Sequence, residues 1–336
     1  MRRPLVLLLV LCFCGFVKAQ SSIERVYVFG DSYSDIGRGW VDTNGPTAVA
    51  YMAQDMGLAM VPSNTPDAEE KSLNFAVSGA PTGENPGHRI LKACFGLGMK
   101  NQVKNFTASV QDGTLSFDPQ STVFFLAGGL NDSKIPTEET IANLEGEIQM
   151  LYAAGARRFR VAVLPEKIPG FSEVAQRLNP AIRNIPAAME PKLNGAGVKL
   201  SQWGAFFDEV MTNPGKYGIT DTTHACSGRS IFGEDATPCD SPATHYYFYK
   251  DHPSTAVHKA VGEMLYAELT GKKPASAMAT VKLAAPSAAA ANKPAASTGG
   301  VTKPSVSPTS AAVKPTASST SAVPATVTDG KVKTVR

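Results

Sequence analysis

Cysteine is scarce in this chain, with five in 336 residues, too few for a small disulfide scaffold. Neither a C-x-x-C pair nor a paired histidine spacing is present, which argues against a structural zinc site. No apolar run follows the N-terminal one at a length that spans a bilayer, and no hydrophobic terminus signals a lipid anchor at the C-terminus. Aromatic residues are absent from about Pro274 to Arg336, a stretch of Ala, Ser, Thr, Pro and Lys that lacks the apolar surface to offset its ordering entropy. A disordered tail is expected over residues 274–336, either O-glycosylated or plainly flexible.

Positive charge is also less abundant than the formal net of +3 suggests. The tail holds seven basic residues against Asp329, and Arg2, Arg3 and Lys18 add three more at the other end. The region between them therefore carries a net negative charge, and nucleic acid is not an expected partner.

What is present begins with Met1-Arg2-Arg3, an apolar run through Val17, and Val17-Lys18-Ala19 before Gln20. This is the pattern of a secretory signal over residues 1–19, too short and wrongly flanked for a membrane span. A lipid anchor at Cys12 or Cys14 is the rival, but neither sits among small residues. Export places Cys226 and Cys239 in an oxidising compartment, where the close pair is expected to form a disulfide and Cys94 to remain a free, buried thiol.

Residues 20–273 read as one α/β domain. Arg25-Val26-Tyr27-Val28-Phe29 is a short apolar strand, Leu73 to Val77 a second, Ser121 to Ala127 a third of the kind buried on both faces of a parallel sheet, and Phe159 to Leu164 a fourth. Helical spacing covers Pro46 to Met56, Met99 to Val110, Thr137 to Ala154, parts of Phe171 to Leu193, Ala205 to Met211 and Ser254 to Leu269. Asn105-Phe106-Thr107 is a short glycosylation acceptor match. Alternation of this kind predicts βαβ units, hence an α/β fold with a mostly parallel sheet and helices on both faces. Polar clusters fall just past the strand ends, where such sheets place ligands.

Three such clusters are Gly30-Asp31-Ser32, Gly79 after Asn74-Phe75-Ala76-Val77-Ser78, and Gly129-Leu130-Asn131-Asp132, and His252-Pro253 follows near the end of the domain. In order and spacing they resemble the four blocks of the GDSL, or SGNH, hydrolase family, across most of residues 24 to 271. Tyr33 stands where the family name has leucine.

The resemblance implies a three-layer α/β/α sandwich and a secreted serine esterase without metal or organic cofactor. Its substrates would be short-chain, carbohydrate acetyl or lipid esters. Ser32 would be the nucleophile and His252 the general base. The Ser32 amide, Gly79 and Asn131 would form the oxyanion hole. Read alone, Ser32 also suits a helix N-cap, Gly79 and Asn131 suit turns, and His258 suits a structural role inside the closing helix. Asn131-Asp132-Ser133 is formally a glycosylation acceptor, discounted because a glycan would block the site.

The family's acid usually precedes the histidine by three positions, which here is Tyr249. Asp251 is next to His252 and is the provisional orienter. A backbone carbonyl, a water or an acid elsewhere are the other ways to hold the ring. Tyr246 to Tyr249 reads equally as a pocket wall and as a buried strand. The altered acid leaves a second function class open, a binding module that has lost turnover. The sequence carries no signal for an oligomeric state.

Overall fold

The computed structural model describes residues 22–273, apart from 67, 69, 91 and 92. The expected signal (1–19) and tail (274–336) lie outside them. In chain order the elements are β1 (Arg25–Gly30), α1 (Ala48–Asp55), β2 (Met60–Pro62), β3 (Ser72–Asn74), β4 (Pro86–Ile90), β5 (Ala93–Leu97), α2 (Met99–Gln111) and β6 (Thr122–Ala127). There follow α3 (Thr137–Ala153), β7 (Arg158–Ala162), α4 (Ser172–Ile182), α5 (Ile185–Met189), β8 (Gly197–Ser201), α6 (Trp203–Thr212), β9 (Asp221–Ser227), β10 (His245–Tyr249), β11 (His252–Pro253) and α7 (Thr255–Thr270).

Six strands form one sheet in the order β2-β3-β1-β6-β7-β8, every neighbouring pair parallel. The apolar runs of β1 and β6 occupy its middle, paired from Arg25 with Thr122 to Gly30 with Ala127, and Val26 to Phe29 and Val123 to Ala127 are almost wholly buried. This is the burial that a continuous hydrophobic strand predicts in a parallel sheet. The principal helix contacts fall into two groups, α1 and α6 with α7, and α2, α4 and α5 with α3, as flanking layers on a central sheet require. Strand order runs outward in opposite directions from the β1–β6 pair, so a crevice opens beyond the carboxyl ends of these strands.

The expected strand at Leu73 to Val77 is shorter, ending at Asn74, yet its continuation still follows β1 through the Phe75 amide on the Val28 carbonyl and the Val77 amide on the Gly30 carbonyl. Elements with no strong sequence period were not anticipated. These are the edge strands β2 and β8, the β4–β5 hairpin, and the strands β9 and β11 that flank β10 in a three-stranded sheet ordered β11-β10-β9. Tyr246 to Tyr249 falls in β10, with Tyr246, Tyr247 and Tyr249 buried. Among the described residues no helix is long and apolar enough to cross a membrane.

Candidate active site

β1 ends where only glycine fits. A Cβ on Gly30 would stand 2.5 Å from the Ala127 carbonyl oxygen of β6. Gln102 of α2 fixes the same residue from the side: the Gly30 amide donates to its Oε1 at 3.0 Å, and its Nε2 donates to the Gly30 carbonyl at 2.9 Å. The chain then turns sharply, with the amides of Ser34 and Asp35 both donating to the Asp31 carbonyl at 3.0 Å and the Tyr33 amide donating to Asp31 Oδ1 at 3.1 Å. Asp31 is fully buried, and desolvation pushes its carboxyl up to about 7 against the pull of the Tyr33 amide. Ser32 crowns this turn at 7% exposure. No helix begins here, since α1 starts at Ala48, so Ser32 is not a helix cap.

His252 arrives from a different part of the chain. β10 and β11 pair antiparallel with Tyr249 opposite His252, and the turn between them holds Lys250 at φ 42°, a left-handed conformation uncommon for a side chain other than glycine. This turn brings His252 Nε2 to 2.9 Å from Ser32 Oγ. The ring is packed by Tyr249, stacked at 5.7 Å, and by Tyr33 and Phe171 at 5.7 and 6.2 Å. Burial pushes the imidazole below its ordinary value, while the Asp42 carboxylate, Asp251 and the Tyr249 backbone oppose that shift and Arg229 adds to it. Nδ1 is buried and meets no side-chain partner among the described residues.

Asp251 does not take the orienting position expected of it. Its Oδ1 accepts the Gly170 amide at 3.1 Å, and its backbone carbonyl accepts the Tyr33 hydroxyl. The physical reason is the two-residue turn Lys250–Asp251: it sets the Asp251 side chain against the loop after β7, while His252, the first residue of β11, faces Ser32.

The expected oxyanion-hole residues lie on the rim. Gly79, with φ at +78°, follows Ser78, whose amide donates to Asp35 Oδ2 at 2.8 Å. Asn131 Nδ2 donates to the Ala80 carbonyl at 3.1 Å, tying the two loops together and leaving the second N–H of that amide for another acceptor. Below them buried Asp132 accepts from the Thr82 amide at 3.1 Å and from the Thr140 hydroxyl at 2.9 Å.

Two carboxylates and one cation of this region, Asp35, Asp42 and Arg229, carry no motif signal in the sequence. Asp35, buried, gathers the amides of Gly37, Gly39, Trp40 and Ser78. Asp42, also buried, accepts the Ser78 hydroxyl at 2.7 Å and pairs with Arg229. Arg229 lies in the loop closed by the Cys226–Cys239 disulfide. None belongs to a recognisable spacing; the only available hint was the density of acids after Ser32.

Elsewhere, His258 is buried in α7, accepts the Ala48 amide on Nδ1 at 3.1 Å, and is held at about 3 chiefly by desolvation, which fits a structural, neutral ring. Cys94 is free as expected but only partly buried. Among the described residues, Cys226, Cys239 and His245 are close enough together to hold a metal ion, and their two sulfurs are spent on the disulfide.

A serine–imidazole pair thus stands past the central strands of a parallel sheet. The family model of the GDSL-like lipase/acylhydrolases matches residues 26–265. The chain belongs to that family. Membership makes it a carboxylic ester hydrolase. It is 25% identical to a GDSL esterase/lipase of Arabidopsis thaliana, covering 75% of this chain and 89% of that protein. It is 22% identical to an acetylesterase of Thermothelomyces thermophilus, covering 72% and 87%. Among solved structures, a lipolytic G-D-S-L family member from Veillonella parvula aligns with a TM-score of 0.43 at 13% identity, over 73% of this chain and 97% of that one.

Proposed function

We propose that this GDSL hydrolase is exported and cleaves short-chain esters through an acyl-enzyme on Ser32. The observation that carries the mechanism is the 2.9 Å contact between Ser32 Oγ and His252 Nε2, which is within reach for proton transfer. Nε2 takes the Oγ proton as Oγ bonds to the ester carbonyl carbon and the carbonyl π pair moves to oxygen. That oxyanion is received by the Ser32 and Gly79 amides and by Asn131. Collapse breaks the bond to the alcohol, which leaves with the proton from Nε2. Water repeats the sequence to release the acid.

Support for a short acyl group comes from a small cavity that meets the site through Asp42, Arg229 and Tyr249, without Ser32 or His252 in its lining. Trp40, Val41, Arg229 and Tyr249 line this cavity of about 100 Å³, small beside the ~300 to 1,000 Å³ of pockets for drug-sized ligands. The likeness to an acetylesterase agrees with this. Export is supported by the basic-then-apolar start of the sequence and by the disulfide.

The test is an ester panel graded by acyl length, run on wild type and Ser32→Ala, with fluorophosphonate labelling of Ser32. Hydrolysis falling steeply beyond short acyl chains, and lost with Ser32, is the expected result. A well-folded protein that neither labels nor hydrolyses would instead be a ligand-binding module, the reading that the engagement of Asp251 by Gly170 instead of His252 favours.

A further inference from the structure

We infer that Asp42, held from both sides by Ser78 and Arg229, is the positioning residue that supplies the negative charge facing the His252 imidazolium. This rests on the Ser32–His252 mechanism proposed above.

The family's acid position is filled by Tyr249, and Asp251 is turned to Gly170. Yet a proton moving from Ser32 to His252 creates a cation in a site that burial has made hostile to charge. The carboxylate in place to meet it is Asp42. Its side chain is 1% exposed, and Oδ2 lies 3.9 Å from Nε2. At that distance the interaction is between charges and is not a hydrogen bond, and a buried setting strengthens it.

Asp42 is fixed where it stands. Asp35 collects the amides of Gly37, Gly39 and Trp40, curling the β1–α1 loop so that Asp42 returns over the nucleophile. Ser78 donates its hydroxyl to Asp42 Oδ2 at 2.7 Å and accepts from Arg229 Nη2 at 2.9 Å. Arg229 pairs with Oδ1, leaving Oδ2 on the histidine side. The guanidinium is itself caged by the rings of Phe95, Phe232 and Tyr249 at 5.0 to 5.3 Å. Because Ser78 precedes Gly79, the same network anchors one edge of the proposed oxyanion hole.

The charged and titratable groups around His252 are Asp42 and Arg229 from two loops, Asp251 beside it in the turn, Tyr249 from β10, Tyr33 from the nucleophile turn and His258 from α7. Asp42 and Arg229 act on the ring in opposite senses, and this separates a charge role from a structural one.

The experiment compares wild type, Asp42→Asn and Arg229→Gln by two readouts: the pH dependence of p-nitrophenyl acetate hydrolysis, and an NMR titration of the ¹⁵N-labelled His252 imidazole. Asp42→Asn is expected to lower kcat by about 10- to 100-fold and move the imidazole titration to lower pH. Arg229→Gln is expected to move it to higher pH. A titration that is the same in all three, or that moves in one direction in both variants, overturns the inference, as does a wild-type kcat in a folded Asp42→Asn. If Asp42→Asn does not fold, the Arg229→Gln titration decides alone. Should wild type hydrolyse no ester, the esterase reading fails while the titrations still test Asp42.

Discussion

The hydroxyl of Tyr33 donates to the carbonyl of Asp251, joining the turn that carries Ser32 to the turn that precedes His252, across 218 positions of sequence. Tyr33 is fully buried among Phe171, Trp203 and Phe207, and its ring also touches that of His252. A leucine at this position would lose both the link and the ring contacts, whereas phenylalanine loses the link alone. We expect Tyr33→Phe to lower kcat by about 10-fold with little change in KM, because an ångström of drift in His252 costs the aligned proton transfer. Unchanged kcat in a folded Tyr33→Phe would show that the ring packing alone holds the turn.

Asp251 gives a contrasting prediction. Its carboxylate accepts from Gly170 and reaches His252 only as a more distant charge, so Asp251→Asn is expected to keep ester hydrolysis within about threefold of wild type. It should lose roughly 0.5 to 1.5 kcal/mol of stability from the weakened bond to the Gly170 amide. Steady-state kinetics together with urea denaturation measure both. A loss of two orders of magnitude in kcat at unchanged stability would return Asp251 to the mechanism.

How far these relationships could be foreseen depended on how local they are. Strands β1 and β6, buried on both faces, and the long helices α2, α3 and α7 announce themselves through continuous apolar runs and a 3.6-residue period, and their ends fall within a few residues of expectation. The Ser32–His252 contact was legible only through the resemblance of four blocks. β8 was missed because an edge strand of Gly-Val-Lys-Leu-Ser has no continuous apolar signal. Asp42 and Arg229 were missed for a deeper reason. Their partnership exists only because the Asp35-centred loop and the Cys226–Cys239 loop meet at Ser78, beside His252, and neither spacing encodes that meeting. The direction of Asp251 is likewise set by a two-residue turn, below the resolution of any periodicity.

The pH profile of hydrolysis should reflect the environment of the base. Nε2 must be unprotonated to accept from Ser32, and burial holds the imidazole below the ordinary 6.5. The acid limb of kcat/KM is therefore expected to have its midpoint below pH 6.5, with activity lost as pH falls through that value. A midpoint above 6.5 would show that the carboxylates outweigh desolvation. The measurement is initial rates on an activated ester from pH 4 to 9.

Asn131 tests the oxyanion hole separately from the base. One N–H of its amide is engaged by Ala80 and the other is spare. Asn131→Ala is expected to lower kcat by about 10²- to 10³-fold while leaving fluorophosphonate labelling of Ser32 detectable and the midpoint of the acid limb unmoved. An acid limb that shifts with Asn131 would mean that the residue acts through His252 instead.

Glu147 of α3 provides a stability prediction far from the chemistry. It is fully buried, and both carboxylate oxygens lack a hydrogen-bond partner. Desolvation, with Asp132 adding to it, raises its carboxyl well above the usual range. The unfolded chain ionises this group near the ordinary 4.5, so above that pH the folded state binds a proton that the unfolded state has given up. Stability is then whole below the unfolded value and declines as pH rises through the window up to the folded one. Replacing the acid by Glu147→Met keeps the volume and removes both the unpaired polar atoms and the proton linkage. The variant should be more stable by about 1 to 3 kcal/mol, and the gain should be larger at pH 8 than at pH 5. Thermal denaturation at the two pH values checks this. A gain equal at both would assign the whole effect to packing, and a loss at both would mean that Glu147 has a partner among the groups of the opposing helices.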